Sequence, residues 1–327
     1  MLVTGPNGVG KTNLLEAIHV AGQGFSPRTR SDAEIIRFGA QAGRIALAAR
    51  RAAAPLELEV RLRYGQAKHA RVNGAPLRIA EQLRLQVAVL VFTPDRLAVV
   101  KGAPAARRAY FDRALGRLAP AKASLPVEYA AAVGQRNAAL RRVGAGLSSR
   151  EALAPWTERV ADLGAHLVEA RCQVVRDLAE GFASHAEALG LEDASVRYEG
   201  EPPTAAGLEA LLERELERGT TGAGPHLHDF VLAAGERDLR RFGSQGEQRI
   251  AVLSLLLAEA AVLGERREQP LLLLDDVLSE LDRDRRAVLV DRLRPLGQTI
   301  VTATAREALP GEPDQLVEVS PGEAKGA

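Results

Sequence analysis

The sequence has little cysteine, few aromatic residues, almost no lysine and almost no net charge. Cys172 is the only cysteine among 327 residues, so no intramolecular disulfide can form. This fits a reducing cytosol. No run of 18 apolar residues occurs, which argues against a membrane-spanning helix, and no signal peptide is recognisable. The sequence therefore predicts a cytoplasmic protein with no membrane partner.

The basic residues are nearly all arginine. Lysine and arginine total 43, only five of them lysine, and the formal net charge is +1. A chain without a global basic field can bind nucleic acid only through local clusters of arginine. Hydrophobic content of 46% is ample for a core, and the length predicts one large or two modest domains.

A phosphate-binding loop opens the chain. The motif G-x-x-x-x-G-K-[ST] is filled by Gly5, Pro6, Asn7, Gly8, Val9, Gly10, Lys11 and Thr12, with a strand before it and a helix from Asn13 after it. The three glycines permit backbone conformations that a Cβ forbids, so the loop N–H groups converge on phosphate. We expect Lys11 to reach the terminal phosphates as a catalytic group and Thr12 to supply a hydroxyl to Mg²⁺. The sequence thus predicts ATP and Mg²⁺ as cofactors.

A second motif is an apolar run that ends in two carboxylates. Residues 270–274 read Pro-Leu-Leu-Leu-Leu, as in a strand buried on both faces, and Asp275 and Asp276 follow. Ligands bind at the carboxyl ends of such strands. Asp275 is predicted to orient Mg²⁺, and Asp276 to polarise an attacking water as a catalytic residue.

A third motif precedes a long apolar helix predicted over 250–263. Ser244 and Glu247 form an S-x-x-E capping box, so Ser244 is the predicted N-cap. The simpler interpretation is a capped core helix. The order of this motif, Asp275 and then residues 279–282 (Ser-Glu-Leu-Asp) resembles the signature, Walker B and D-loop of ABC-type ATPases. That resemblance implies that Ser244, Gly246, Glu247 and Gln248 contact the γ-phosphate bound by a second subunit.

The coarse pattern predicts an α/β head interrupted by helices. Strands are expected over 44–63, 69–78 and 85–92, with a hairpin turn at Val72–Ala75, and helices over 95–100 and 104–118. From 119 to 219 apolar residues recur at helical spacing. The predicted domains are the first part of the head (1–118, P-loop and antiparallel β-subdomain), a helical lobe (119–219) and the second part of the head (220–327).

The whole chain resembles the RecF family of recombination-mediator ATPases. Beyond the three motifs, the resemblance rests on residues 26–39, 92–97, 100–108 and 224–229. It implies a P-loop ABC-type ATPase head with an inserted helical lobe. It also implies an ATP-dependent homodimer that clamps DNA at gaps or junctions, works with RecO and RecR, supports RecA loading in repair and replication restart, and hydrolyses ATP slowly.

The sequence departs from the family pattern at four places. Phe242-Gly243-Ser244 stands where such signatures start with Leu-Ser, although Ser244 is retained, and Leu227-His228 follows Gly224-Pro225-His226 where the family has arginine. No glutamine stands clearly at the Q-loop position, and no switch histidine follows the strand predicted at 299–304. Weak activation of water would suit slow hydrolysis. Only four residues precede Gly5, so we also expect the sheet to lack one or two strands that such heads place there.

Several other polar residues are candidates for contacts. Arg28 is a candidate for a phosphate contact in the dimer. His226, His228 and Asp229 have unspecific spacing for a metal site, which is disfavoured. Arginines on predicted helices could bind DNA phosphates or simply face solvent; they are Arg107, Arg108, Arg136, Arg141 and Arg142.

Three alternatives stay open. A transporter ATPase is disfavoured because more than 200 residues separate the P-loop from the signature. The inserted part is also helical and rich in arginine. An SMC-type head is disfavoured because no long coil separates its two halves. A scaffold protein, in which ATP only sets assembly, is the third alternative.

Overall fold

The structure is a computed structural model that describes residues 1–29, 31–51 and 54–326. The strands are β1 (Leu2–Thr4), β2 (Ala42–Arg51), β3 (Ala54–Arg63), β4 (His69–Val72), β5 (Ala75–Pro76), β6 (Val89–Phe92), β7 (Ala194–Glu199), β8 (Asp229–Ala234), β9 (Arg237–Asp238), β10 (Leu271–Leu274), β11 (Thr299–Ala303), β12 (Leu316–Ser320) and β13 (Glu323–Gly326). The α-helices are α1 (Lys11–Gln23), α2 (Ala98–Lys101), α3 (Pro104–Leu118), α4 (Leu125–Gly144), α5 (Ala154–Ala188), α6 (Ala205–Ala210), α7 (Leu212–Arg218), α8 (Leu239–Phe242), α9 (Gln245–Arg266) and α10 (Arg283–Leu293). Short 3-10 helices cover Asp32–Ile35, Ala80–Leu85, Pro94–Leu97, Pro120–Lys122, Arg150–Leu153, Val277–Glu280, Arg294–Leu296 and Arg306–Ala308.

The chain forms two compact units, each built from separate segments. The first unit comprises Met1–Arg96, Ala188–Gly190 and Leu263–Ala327, and the second comprises Leu97–Glu187 and Leu191–Val262. The three-part domain division drawn from the sequence stays a prediction.

A six-stranded sheet is the centre of the first unit. Its order is β13-β12-β1-β11-β10-β6, and only β13 runs antiparallel to its neighbour. Leu272, Leu273 and Leu274 are fully buried, as predicted for a strand covered on both faces. The predicted strand over 85–92 begins only at Val89, because Ala80–Leu85 forms a 3-10 helix. The P-loop strand β1 lies inside the sheet, between β11 and β12.

The first unit also contains the predicted antiparallel β-subdomain, in the order β2-β3-β4-β5. Every second residue of β3 is buried, from Leu56 to Leu62, and packs with Val20 and Ala21 of α1. Val72 and Ala75 pair across a two-residue turn in which Asn73 and Gly74 have φ of 49° and 80°. Two positive φ angles define the type I′ hairpin that an Asn-Gly pair favours, so this prediction is confirmed.

The second unit is mostly helical, with a small sheet in the order β7-β8-β9. The helix α5 has 35 residues and buries most apolar residues of the predicted helical pattern, from Val160 to Phe182, whereas Trp156 is exposed. Pro155 lies in its first turn, where a missing N–H costs nothing. The S-x-x-E sequence from Ser148 to Glu151 would also predict a capping box, but a 3-10 helix begins at Arg150 and no side-chain cap hydrogen bond forms there.

Candidate nucleotide-binding site

The glycines of the P-loop adopt the backbone conformations that the motif requires. The loop joins the carboxyl end of β1 to α1, and φ is 152° at Gly5, 79° at Gly8 and 115° at Gly10. Other residues rarely adopt such angles. A Cβ added to Gly5 would also lie 2.6 Å from the carbonyl oxygen of Val319 on β12. The glycines are therefore needed for the turn itself, as the sequence predicted.

The lysine of the motif is held against the loop backbone. Lys11 Nζ donates hydrogen bonds to the carbonyl oxygens of Gly5 at 2.6 Å and Pro6 at 2.9 Å. The loop residues Pro6, Asn7 and Gly8 are exposed, whereas Val9 is half-buried. A positive side chain thus lies beside exposed N–H groups at the start of α1, which is an arrangement that favours an anion.

One hydrogen-bonded chain links the helix α1 to the carboxyl ends of the neighbouring strands β10 and β11. Thr12 Oγ1 on α1 donates to Asp275 Oδ2 at 2.8 Å, and Thr302 Oγ1 on β11 donates to Asp275 Oδ1 at 2.7 Å. The backbone N–H of Asp276 donates to Thr302 Oγ1 at 2.9 Å. The structure therefore brings together Thr12, Asp275 and Asp276. Thr302 was not predicted as a site residue. The feature that could have indicated it is a hydroxyl near the carboxyl end of the strand next to β10.

The donors at this point suit magnesium. Mg²⁺ prefers oxygen ligands, and it usually takes one or two carboxylates together with substrate phosphates and waters. The Thr12 hydroxyl and the Asp275 carboxylate adjoin each other beside the phosphate-binding loop, so they fit such an ion. In the described part of the chain no group of three or more His, Cys, Asp and Glu residues forms a self-sufficient metal site.

The two carboxylates lie in different surroundings. Asp275 is buried, whereas Asp276 is exposed and has a φ of 52°. Asp276 lines an open cleft of about 320 Å³, together with Leu278, Ser279, Arg286, Ala303, Thr304, Glu307 and Ala308. Arg286 Nε donates to the carbonyls of Leu278 and Leu281 and so fastens the segment after Asp276. An exposed carboxylate at the end of a strand has access to water, as a general base requires.

Arg28 lies beside the first turns of α1. Its guanidinium is 3.3 Å from Glu16 Oε2 and 3.4 Å from Asn13 Oδ1. The Ser26 hydroxyl donates to Glu16 and accepts the backbone N–H of Arg28. Arg28 is thus positioned one helical turn beyond the P-loop of its own chain, and its side chain is 41% exposed.

The capping box of the signature motif is formed in both directions. In the second unit, the Ser244 N–H donates to Glu247 Oε2 at 2.7 Å, and the Glu247 N–H donates to Ser244 Oγ at 3.2 Å. The Ser244 N–H and the neighbouring Arg237 lower the pKa of the Glu247 carboxyl. Ser244 and Gly246 are exposed. The predicted capping box is therefore confirmed, whereas the contact of this exposed N-terminus with a phosphate stays a prediction.

Gln248 corrects one part of this prediction. Its side chain is buried, and its amide donates to the carbonyls of Leu239 at 2.7 Å and Gly243 at 3.1 Å. Because the Gln248 amide bonds to carbonyls of the segment before α9, it stabilises the signature loop. It does not reach outward to a nucleotide, so we withdraw Gln248 as a phosphate contact.

Two of the arginines proposed for DNA are interior residues. Arg107 is buried, pairs through two hydrogen bonds with Asp229 and also holds the carbonyls of Val100 and Gly102. Arg136 is 0% exposed and pairs with buried Glu215. These two predictions are wrong, because a buried guanidinium cannot reach DNA. Arg108 is half-buried on the carbonyl of His228, whereas Arg141 and Arg142 are exposed.

The two histidines near Asp229 act as hydrogen-bonding partners. Tyr129 and Tyr198 bond to Nδ1 of His226 and His228 at 2.7 and 2.8 Å. Burial is the main cause that lowers the pKa of both imidazoles, for His228 to about 4. Both are therefore neutral at pH 7.

A phosphate-binding loop, an adjoining Thr–Asp pair and a capped signature helix define a P-loop ATPase head of the ABC and SMC class. The profile of the RecF/RecN/SMC N terminal domain matches residues 1–325. The chain is 36% identical to the DNA replication and repair protein RecF of Symbiobacterium thermophilum, over 93% of this chain and 85% of the relative. It is 35% identical to that of Heliobacterium modesticaldum, over 96% and 88%. The chain belongs to the RecF family.

Solved structures agree with this assignment. A structure described as the recombination mediator protein RecF with ATP, in the RecFOR pathway, superposes with a TM-score of 0.88 at 25% identity, covering 100% of this chain and 91% of the other. The Smc head domain of Pyrococcus furiosus superposes with a TM-score of 0.59 at 16% identity, covering 100% and 89%, and shows the shared fold. No helix in the described part of the chain is long and apolar enough to cross a bilayer.

Proposed function

We propose that the chain is an ATP-switched DNA-binding protein that mediates recombination in repair and replication restart. The observation that carries this proposal is the direct hydrogen bond from Thr12 on the P-loop helix to Asp275 at the end of β10. It places a hydroxyl, a carboxylate and a phosphate-binding loop at one point. The RecF relatives and the RecF structure with ATP support the same assignment.

In this proposal each copy binds ATP on residues 5–13. The loop N–H groups and Lys11 hold the phosphates, and Arg28 contacts the same region. Thr12 and Asp275 would hold Mg²⁺, which neutralises phosphate charge when bound. Asp276 orients and deprotonates the attacking water. No histidine follows β11 among the described residues 304–326, which agrees with slow hydrolysis.

Two copies close head to tail across two nucleotides. The exposed N-terminus of α9, with Ser244, Gly246 and Glu247, caps the γ-phosphate held by the other copy in a C₂ arrangement. Closure then holds duplex DNA at a gap or junction, and contacts from two linked copies increase avidity. RecO and RecR are the proposed partners in loading RecA. ATP acts mainly as a switch. It shifts the equilibrium from the open to the closed dimer to the extent that it binds the closed state more tightly.

The Lys11→Met variant tests the nucleotide assignment. We expect it to lose binding of a fluorescent ATP analogue but to remain folded in the absence of nucleotide, because it loses only the two hydrogen bonds of Lys11 to the loop. Unchanged nucleotide affinity would refute the assignment of the loop. The Ser244→Arg variant is the matched test of closure, since it should bind ATP as a monomer but fail to dimerise.

A second candidate function is a scaffold in which ATP sets assembly without turnover. The departure from the family at the end of β11 favours this alternative, because no histidine assists Asp276. Single-turnover hydrolysis separates the two functions. The ATPase proposal predicts slow phosphate release that Asp276→Asn abolishes, whereas a scaffold would release phosphate at the same negligible rate in both proteins.

A further inference from the structure

The solvent face of the β2–β5 sheet carries a concentration of arginine. Side chains alternate along the strands, and the opposite face is buried against α1. The solvent face carries five arginines and two glutamates, and on β2 the small residues Ala46 and Ala48 lie between Arg44 and Arg50, opposite Glu59 and Glu57 of β3. The charged residues of this face are Arg44, Arg50, Glu57, Glu59, Arg61, Arg63 and Arg71.

The register places basic residues directly opposite one another. Arg44 on β2 faces Arg61 on β3, and Arg61 faces His69 on β4. Like charges at directly opposed positions destabilise a sheet. Glu59 offsets part of this repulsion, since its carboxylate accepts hydrogen bonds from Arg44 Nε and Arg61 Nε, both at 2.7 Å. Arg71 on β4 is the cross-strand neighbour of Glu59 on the same face.

This row of cations has a cost that an anionic ligand would remove. The whole chain has a net charge of only +1, so the positive field of this face is local. Guanidinium groups bind phosphate oxygens through paired N–H donors, and they remain charged at any physiological pH. The side chains of Arg44 and Arg61 are 63% and 55% exposed and can reach such a ligand.

We propose that this face binds the phosphate backbone of DNA, through Arg44, Arg61, Arg63 and Arg71. The proposal rests on the DNA-binding function proposed above and gives it a location. An acidic protein segment is a poorer occupant, because this face offers no aromatic or aliphatic anchor of the kind that dominates protein interfaces.

The test compares two double variants that remove the same charge. Arg44→Gln with Arg71→Gln removes two arginines of the face. Arg197→Gln with Arg294→Gln removes two exposed arginines elsewhere, one on β7 and one beyond α10. The probe is a fluorescein-labelled duplex with a single-stranded gap, bound with MgATP over a range of salt concentrations. Melting temperature and affinity for an ATP analogue confirm that each variant is folded.

The slope of log K against log salt is negative, and we expect the first double variant to reduce its magnitude by about 1.8, since each phosphate contact contributes about 0.9. At about 0.1 M salt this corresponds to a loss of roughly 60-fold in affinity. The control variant should retain the wild-type slope. An equal loss in both variants, or none in the first, would overturn the inference while leaving the proposed function intact. A wild-type chain that binds no DNA would refute the proposed function instead. If the first variant is unfolded, Arg63→Gln tests the same face with an expected slope change of about 0.9.

Discussion

Replacing Thr302 with valine removes one hydroxyl and almost no volume. Thr302 is fully buried, and its Oγ1 donates to the carboxylate of Asp275 and accepts the N–H of Asp276. Valine keeps the branched shape but has no donor or acceptor. The carboxylate therefore loses a charged hydrogen bond, and the backbone N–H loses its acceptor.

The expected cost follows from these two contacts. A hydrogen bond to a charged group contributes about 1.5–3 kcal/mol, and an unsatisfied polar group costs about 1–3 kcal/mol. Asp276 is exposed, so water replaces part of what its N–H loses. We expect Thr302→Val to lower the free energy of unfolding by about 2–4 kcal/mol. Thr302→Ser retains the hydroxyl, and the lost methyl group should cost only about 1 kcal/mol.

Urea denaturation measures this difference as a shift of the midpoint at an unchanged m-value. A second measurement separates positioning from stability. Because Thr302 orients Asp275, the valine variant should need more Mg²⁺ to bind an ATP analogue, whereas the serine variant should need as much as the wild type. If the valine variant unfolds at the wild-type urea concentration and has the wild-type Mg²⁺ requirement, the reasoning is refuted.

Three further changes test other parts of the structure. Arg136→Met should cost about 3–5 kcal/mol of stability by chemical denaturation, because it leaves Glu215 charged and buried, and adding Glu215→Leu should recover most of it. Gly5→Ala should lower the melting temperature and ATP affinity because its Cβ meets Val319, whereas Gly134→Ala, inside α4 with nothing near its Cβ, should raise the melting temperature slightly and leave ATP affinity unchanged. Burial, followed by nearby cations, lowers the pKa of His228 to about 4, so stability should fall as pH drops from about 6.5 to about 4. His228→Gln should flatten this part of the pH profile of melting temperature, and an unchanged profile would contradict the assignment.

Local patterns in the sequence predicted several local structures correctly. The glycine spacing of the P-loop, the leucine run before Asp275, the Asn-Gly turn and the Ser244–Glu247 box each have a cause within a few residues. The helix predicted over 104–118 has those same bounds as α3. In such cases the backbone requirement and the residue that meets it are neighbours in the sequence.

Contacts between residues far apart in the sequence could not be predicted from such local patterns. Arg136 and Glu215 are 79 residues apart, and Arg107 and Asp229 are 122 apart. In the sequence, a buried arginine on a helix looks the same as a helical arginine that faces solvent. The outward register of β2–β4 was equally hidden, because only strand pairing shows that Arg44, Arg61 and His69 form one row.

Sedimentation velocity with gapped DNA, with and without MgATP, tests the central claim most directly. The proposed clamp predicts a dimer on DNA only when MgATP is present, and a monomer under the same conditions for Ser244→Arg. A wild-type chain that stays monomeric with MgATP and DNA would contradict the account. A Ser244→Arg variant that dimerises as the wild type does would also contradict it, because the signature helix would then have no part in closure.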